Sequence, residues 1–381
     1  SGVVAIFQKD RFDEYSNFVR IGEGSIGGKG RSIAFMDNIV KERTGLNHYD
    51  DFQIKTPKTL VLCTDIFDEF MESNDLYQIA LSDATDDEII EAFLSAKLPE
   101  RLEEDFMAFY KVIKRPIAVR SSSLLEDSHY QPFAGVYSTY MIPHFEDTLE
   151  MNRQINDAIK AVYASVFFQD SKTYMTATHN LIDQEKMAIV LQEVVGSSYN
   201  NHFYPTFSGV ARSLNFYPIG NEKPEEGIAQ VVLGFGKNIV EGGTSLRFSP
   251  YHPQNIVQLS SVEYALRDTQ RYFYALDLTN THRKETKGDG FNLLKLATKD
   301  AEKDDSIRFI SSTYNPQEQM IFDGYYEGGR KIISFANVLQ HSVYPLADIL
   351  KEVLKIGQQE MGRAVEIEFA VDLDDNGKGD F

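Results

Sequence analysis

Val119-Arg120-Ser121-Ser122-Ser123-Leu124-Leu125-Glu126-Asp127-Ser128-His129-Tyr130-Gln131-Pro132-Phe133-Ala134-Gly135 is the stretch from which the rest of the chain can be read. The apolar residues Pro116-Ile117-Ala118-Val119 lead into it and predict a strand. Arg120 then offers a forked cation that can grip phosphate oxygens at two points, and Ser121, Ser122 and Ser123 offer hydroxyls and backbone N–H groups. Phe133-Ala134-Gly135 closes the stretch with a small-residue bend that lets backbone come near a ligand. A strand end followed by donors and a cation suits a polyphosphate. The same composition describes a Ser-rich surface loop whose arginine pairs with Glu126 or Asp127, and the local residues leave both readings open.

Upstream, Gly22-Glu23-Gly24-Ser25-Ile26-Gly27-Gly28-Lys29-Gly30 precedes a segment with Ile33, Met36 and Val40 at helical spacing. A glycine loop that enters a helix presents N–H groups and a favourable dipole to an anion, and Lys29 adds a mobile charge. The order of a P-loop is absent, because Gly30 follows Lys29. A flexible helix entry with a solvated lysine fits as well. Lys58–Thr64 predicts a buried strand, and Thr85 with Glu88 a capping box. Ile155, Ile159, Val162 and Val166 form the core stripe of a helix. Met187–Val195 predicts a long apolar strand. Gly234-Phe235-Gly236-Lys237 lacks the third glycine of a dinucleotide loop and reads as a hairpin turn. Asp268–Asp277 reads as helical, Arg283–Asn292 as an exposed loop, and Leu346, Ile349, Leu350, Val353, Leu354 and Ile356 as the core-facing side of another helix.

Near the C-terminus, Val365, Ile367, Phe369 and Val371 alternate with Glu366, Glu368 and Asp372, as in a strand with one apolar and one acidic face. Carboxylates gathered on one face repel unless a cation sits among them, and oxygen ligands suit Mg²⁺ or Mn²⁺. An edge strand with a wet acidic face is the alternative. Asp372-Leu373-Asp374-Asp375-Asn376-Gly377 imitates the start of an EF-hand loop, but a strand rather than a helix precedes it. Asn376-Gly377 suits a type I′ hairpin turn whose return strand has little room before Phe381, so a fragment of a longer protein is expected.

The whole chain narrows the classes of function. Its 381 residues accommodate two or three domains, and 42% hydrophobic content describes a globular protein. A net charge of −19 argues against wrapping a nucleic-acid backbone, although a nucleotide needs only a local cluster of cations. Cys63 is the single cysteine, so no intrachain disulfide forms and a reducing compartment is expected. With no apolar run near the roughly 20 residues that span a bilayer, and no signal-peptide pattern, a cytoplasmic protein without membrane or nucleic-acid partners is expected.

Taken in order, Gly27-Gly28-Lys29-Gly30, Val119-Arg120-Ser121-Ser122 with Glu126-Asp127, Phe133-Ala134-Gly135, Ala164-Ser165-Val166-Phe167, Gln192, Ser208-Gly209-Val210-Ala211 and Ile367-Glu368-Phe369-Ala370 resemble the N-terminal ATP-binding part of phosphoenolpyruvate synthase and pyruvate phosphate dikinase. The resemblance implies an α/β (α+β) ATP-grasp-like fold: two lobes with mixed and antiparallel sheets flanked by helices, here 1–186 and 187–381. It implies ATP and Mg²⁺ as ligands, Lys29 and Arg120 as the catalytic phosphate-binding cations, and Glu368 as the metal ligand. Ser121, Ser122 and Gly135 would line the phosphates, and backbone groups of the strand containing Gln192–Val195, Gln192 and Val194 among them, would meet adenine. Family enzymes pass a phosphoryl group from ATP to a histidine on a swivelling domain, and a separate domain then phosphorylates pyruvate. The implied partners are therefore phosphohistidine and pyruvate-binding domains of a longer parent.

The departures are specific. Lys237 stands where the family's glycine-rich stretch carries an acid, the Q-x-R-P run expected on the return strand lies beyond Phe381, and Tyr251–Ile307 matches nothing in the family. Lys237 motivates an alternative, a nucleotide-sensing module that transfers no phosphate; label passing from ATP to a histidine of the parent protein separates the two. A glycan- or protein-binding surface built on 20 tyrosines and 26 phenylalanines is a third reading, opposed by the absence of tryptophan. A thermal shift scan of Mg·ATP against sugars tests it.

Overall fold

A computed structural model describes residues 5–8, 17–42, 52–124, 139–178, 181–279 and 292–381. Glu126, Asp127, the Phe133–Gly135 bend and all of the expected 283–292 loop except Asn292 lie outside these residues. In chain order the first half forms β1 (Ala5–Ile6), β2 (Phe18–Ile21), α1 (Gly27–Glu42), β3 (Phe52–Gln53), β4 (Thr59–Leu62), α2 (Thr64–Ser73), α3 (Tyr77–Ala80), α4 (Asp86–Ser95), α5 (Leu102–Val112), β5 (Ile117–Ser123), β6 (Thr139–Ile142), α6 (Thr148–Ser165), α7 (Gln169–Ala177) and β7 (Met187–Glu193). The second half forms β8 (Ser197–Tyr199), β9 (His202–Tyr204), β10 (Phe207–Arg212), β11 (Ile228–Leu233), α8 (Lys237–Val240), β12 (Leu246–Phe248), α9 (Val262–Arg267), β13 (Tyr272–Asp277), β14 (Leu293–Ala297), α10 (Thr298–Lys303), β15 (Ser312–Asn315), β16 (Met320–Phe322), β17 (Arg330–Ile332), α11 (Ala336–Leu339), α12 (Leu346–Met361), β18 (Glu366–Leu373) and β19 (Gly379–Asp380). The chain packs as two compact units, Ser1–Asn38 with Thr56–Val194 and Asn280–Asn292, and Ile39–Lys55 with Val195–Thr279 and Leu293–Phe381. β7, which opens the second lobe expected from the sequence, pairs with β4 and β5 inside the first unit.

The first unit is organised on a mixed six-stranded sheet ordered β1-β2-β4-β7-β5-β6. Its two faces differ in kind. Val19, Leu60, Leu62, Val119, Ile189 and Leu191 point into a large core with Phe67 and Phe70 of α2, Phe93 of α4 and the expected stripe Ile155, Ile159 and Val162 of α6. Each such side chain, fully buried, contributes about 1.5–3 kcal/mol. α4 starts on the expected capping box: Glu88 N–H donates to Thr85 Oγ1 at 3.2 Å and Thr85 N–H to Glu88 Oε1 at 3.4 Å. The opposite face carries a small cluster, Phe18, Val61, Ala188 and Val190, against Ile26, just before α1, and Ile33 and Ala34 within it. Arg20, Thr59, Arg120, Ser122 and Gln192 share that face.

The second unit holds three sheets, ordered β12-β11-β10-β18-β19-β3, β14-β13-β9-β8 and β16-β15-β17. β10 and β18 pair antiparallel from Phe207↔Val371 to Arg212↔Glu366. The expected alternation holds: Ile367, Phe369 and Val371 are buried, while Glu366 and Glu368 are exposed. Gly209 sits opposite Phe369, and any Cβ there would run into the Phe369 ring. α12 buries Leu346, Ile349, Leu350, Val353 and Leu354, as their spacing predicts, and stops at Gly362 in the left-handed region (φ 68°).

Four expectations are corrected. Ser121, Ser122 and Ser123 belong to β5, not to a loop beyond it; β5 and β7 stay in register from Ile117↔Glu193 to Ser123↔Met187, and this long pairing overrides the turn preference of serine. Asp268–Asp277 is not helical: Tyr272–Asp277 is β13, and its aromatic residues fit a pleated, half-buried surface. Gly234–Gly243 is no tight turn; β11 and β12 are antiparallel neighbours joined by a longer connection that carries α8. The C-terminal hairpin forms, but not through a type I′ turn, since Gly377 has φ 76° and Asn376 is absent from the positive-φ residues. Asp374 Oδ1 instead accepts the Asn376 and Lys378 amides at 2.9 and 3.0 Å, giving a longer turn closed by glycine. Tyr251–Ile307, which the sequence reading could not place, belongs to the folded second unit apart from Asn280–Asn292 and supplies β13, a strand between β14 and β9.

Candidate functional site

The start of α1 is bolted to β5. Gly27 has φ 75°, and a Cβ there would overlap the Ser122 carbonyl, so only glycine brings the helix this close. The Ser122 hydroxyl accepts the Gly30 N–H at 2.9 Å and donates to the Ile26 carbonyl at 2.7 Å. Lys29 is half-buried between the buried Gly28 and Gly30, so its backbone is fixed to within one residue of that contact. Gly27 and Gly30 of the Gly-Gly-Lys-Gly run thus serve close packing. Of the first-turn amides, Gly27 donates to Ser25 Oγ and Gly30 to Ser122, so those two are satisfied within the fold rather than facing an anion.

Ser122, Arg120 and Ala118 alternate with Val119 and Ser121 along β5, so Arg120 shares the α1 side of the sheet with Ser122. Arg120 Nη1 donates to Gln192 Oε1 at 2.9 Å, Gln192 Nε2 donates to Thr59 Oγ1 at 3.2 Å, and Thr59 Oγ1 donates to the Pro57 carbonyl at 2.8 Å. This relay crosses three strands and sets the guanidinium. Arg20, Val61, Val190 and Arg120 form one cross-strand row, so a second arginine lies on the same face roughly three strand spacings, about 14 Å, away. Arg20 Nη1 donates to the Gly22 carbonyl at the mouth of the glycine loop.

The structure therefore brings the Lys29 turn and Arg120 to one sheet face and uses Ser122 to join them. Ser121, Ser122 and Ser123 are all buried, with exposures of 2%, 0% and 0%. The Ser122 hydroxyl is engaged within the fold. Gln192 contributes its side chain to the relay, while the Val194 N–H donates to the Pro116 carbonyl at 2.9 Å. Gly135 lies outside the described residues.

In the second unit Glu368 stands on the solvent face of β18, in a row with Val210, Gln230 and Arg247. Its strand neighbours are engaged: Glu366 accepts from Arg212 Nε at 2.8 Å, and Asp372 accepts from Ser197 at 2.6 Å and Thr206 at 3.4 Å. Among the described residues no group of three or more His, Cys, Asp or Glu side chains forms a metal cage. Lys237 pairs with Glu241 at 3.5 Å and lies 4.9 Å from the centroid of the Tyr274 ring.

Sequence reading missed the residues that hold the glycine loop. Asp65 accepts the Glu23 and Gly24 amides, each at 3.0 Å, and Thr64 Oγ1 accepts the Ser25 amide at 3.0 Å. The available signal was the pair Thr64-Asp65 directly after an apolar strand, a helix start whose side chains can also reach a neighbouring loop. Cys63, the last residue before α2, is fully buried, and burial pushes its thiol up to about 11.

Comparison with known proteins adds to this geometry. The chain is 28% identical over 194 residues, 50% of its length, to the uncharacterized phosphotransferase YvkC of Bacillus subtilis (strain 168). That match covers 21% of the Bacillus protein, so the chain spans a minor part of this relative. Among the described residues no helix is long and apolar enough to cross a membrane. Residues 23–379 match the pyruvate phosphate dikinase AMP/ATP-binding domain, a span that takes in Lys29, Arg120 and Glu368, and the chain belongs to that family.

Proposed function

We propose that this AMP/ATP-binding domain grips the triphosphate of Mg·ATP with Lys29 and Arg120 and donates a phosphoryl group to a histidine on another domain of a longer parent. The carrying observation is the Ser122 joint: the α1 turn that holds Lys29 is hydrogen-bonded to β5 two residues from Arg120, on the same sheet face. Phosphoryl transfer depends on positioning and charge neutralisation more than on a protein nucleophile. Cations fixed before the nucleotide arrives need little reorganisation when charge develops. Arg120, held by Gln192, carries a planar forked cation suited to phosphate oxygens, and Lys29 adds a point charge.

The donor chemistry of Glu368 fits Mg²⁺. This ion is usually held by one or two carboxylates together with substrate phosphates rather than by an all-protein cage, and Glu368 is an exposed carboxylate that belongs to no three-ligand cluster among the described residues. Bound there, Mg²⁺ would supply charge neutralisation at the phosphates. The phosphotransferase relative supports the same class of chemistry. Phosphorylation of pyruvate falls to another domain in this reading.

Titration calorimetry with Mg·ATP tests the assignment. Arg120→Ala should weaken binding roughly tenfold or more, the loss of a charge-assisted bidentate contact, and equal affinity in both proteins would remove Arg120 from the site. Sustained conversion of pyruvate to phosphoenolpyruvate by these 381 residues alone would contradict the division of labour.

A further inference from the structure

We infer that Asp65 is a positioning residue for Lys29, acting through the glycine loop; this deepens the phosphate-gripping role proposed above and rests on it. Asp65 lies in the first turn of α2, distant in sequence from the loop, yet each of its carboxylate oxygens takes a loop amide, Glu23 N–H and Gly24 N–H, at 3.0 Å. Next to it, Thr64 Oγ1 accepts the Ser25 N–H at 3.0 Å, and the Ser25 carbonyl accepts the Thr64 N–H at 2.9 Å. The loop is so close that a Cβ on Gly22 would overlap the Asp65 carboxylate, and one on Gly24 would sit 2.7 Å from Thr64 Oγ1. Three consecutive loop amides are thereby fixed to the start of α2, and the following residues, Ile26 and Gly30, are fixed to Ser122. Lys29 lies inside the second of these two clamps, so the first sets the path by which the backbone enters it.

A carboxylate gripping two amides at once is stronger and more directional than a neutral acceptor. It also neutralises the N–H dipoles of the loop, leaving the phosphate-facing charge to the side chains. The competing account is that Asp65 only stabilises α2 through the helix dipole. In that case its removal lowers stability without regard to Lys29.

The test is a double-mutant cycle read by Mg·ATP calorimetry, with the melting temperature of each variant recorded alongside. Asp65→Ala should weaken binding roughly fivefold and Asp65→Asn, which keeps one acceptor oxygen, by less. In a Lys29→Ala background, Asp65→Ala should change affinity less than about twofold, because the group it positions is gone. Hydrogen exchange at the Glu23 and Gly24 amides should accelerate in Asp65→Ala. Should Asp65→Ala fail to fold, Gly24→Ala presses the same loop off Thr64 and enters the same cycle. Wild-type affinity in Asp65→Ala, or an equal loss with and without Lys29, would overturn the positioning role. A wild-type protein that binds no Mg·ATP would instead overturn the proposed function, and that result is read before any Asp65 variant is compared.

Discussion

The polar face of the first unit's sheet and the acidic face of β18 in the second unit present charge in opposite ways. On the first, the guanidinium of Arg120 is tied to Gln192, Gln192 to Thr59, Ser122 to both ends of the α1 entry, and the glycine loop to Asp65. On the second, Glu368 lies on the solvent side of β18, and on the same strand Glu366 and Asp372 accept hydrogen bonds from Arg212 and Ser197. The difference matches the demands of the two ligands. Gripping a polyphosphate is most effective with charges already in place. A carboxylate that meets a hydrated Mg²⁺ needs access to water, because that ion sheds its shell reluctantly.

The contrast can be broken most severely at Gly27. Gly27→Ala places a side chain both in the left-handed region and against the Ser122 carbonyl, and is expected to destabilise the protein by roughly 2–4 kcal/mol in urea unfolding. Gly362→Ala is the control in the second unit: φ is 68° but nothing lies within 4 Å, so about 1 kcal/mol is expected. Equal effects at the two positions would show that the α1–β5 contact contributes nothing beyond backbone strain. Next comes Glu368→Gln, for which the Mg²⁺ concentration giving half-maximal ATP binding should rise roughly tenfold. An unchanged Mg²⁺ requirement would leave the acidic face without a ligand. Gln192→Ala, which frees Arg120 from its tie, should weaken Mg·ATP binding about two- to tenfold, the worth of one hydrogen bond.

The smallest effect concerns Cys63. Burial raises its thiol from 9.0 to about 11, so the stability it contributes is complete below pH 9.0 and is lost as pH rises through about 11. Iodoacetamide at pH 8 should therefore label Cys63 in urea and spare it in the folded protein. Rapid labelling without denaturant would show that the β4–α2 junction beneath the glycine loop opens readily.

Much of the fold is legible in local sequence because local rules govern it. The Thr85–Glu88 capping box, the Ile155–Val162 stripe and the alternation of Ile367 and Phe369 with glutamates need only neighbours along the chain. Ser121–Ser123 were misread because their state is set by β7, far along the chain, and β13 because aromatic alternation was outweighed by its polar start. The same division runs through the site. Lys29 and Arg120 announce themselves by residue type, whereas Asp65 and Gln192 gain their roles only when strands and loops distant in sequence pair. The glycines read as open to phosphate are explained instead by backbone packing on Ser122 and Thr64.

The most direct test is a crystal structure of the protein with Mg²⁺ and a non-hydrolysable ATP analogue. The expected result is one triphosphate with the Lys29 ammonium and the Arg120 guanidinium within about 3 Å of its oxygens, and Glu368 among the groups that would hold Mg²⁺. A nucleotide bound with either cation turned elsewhere, or a metal held without Glu368, would contradict the account.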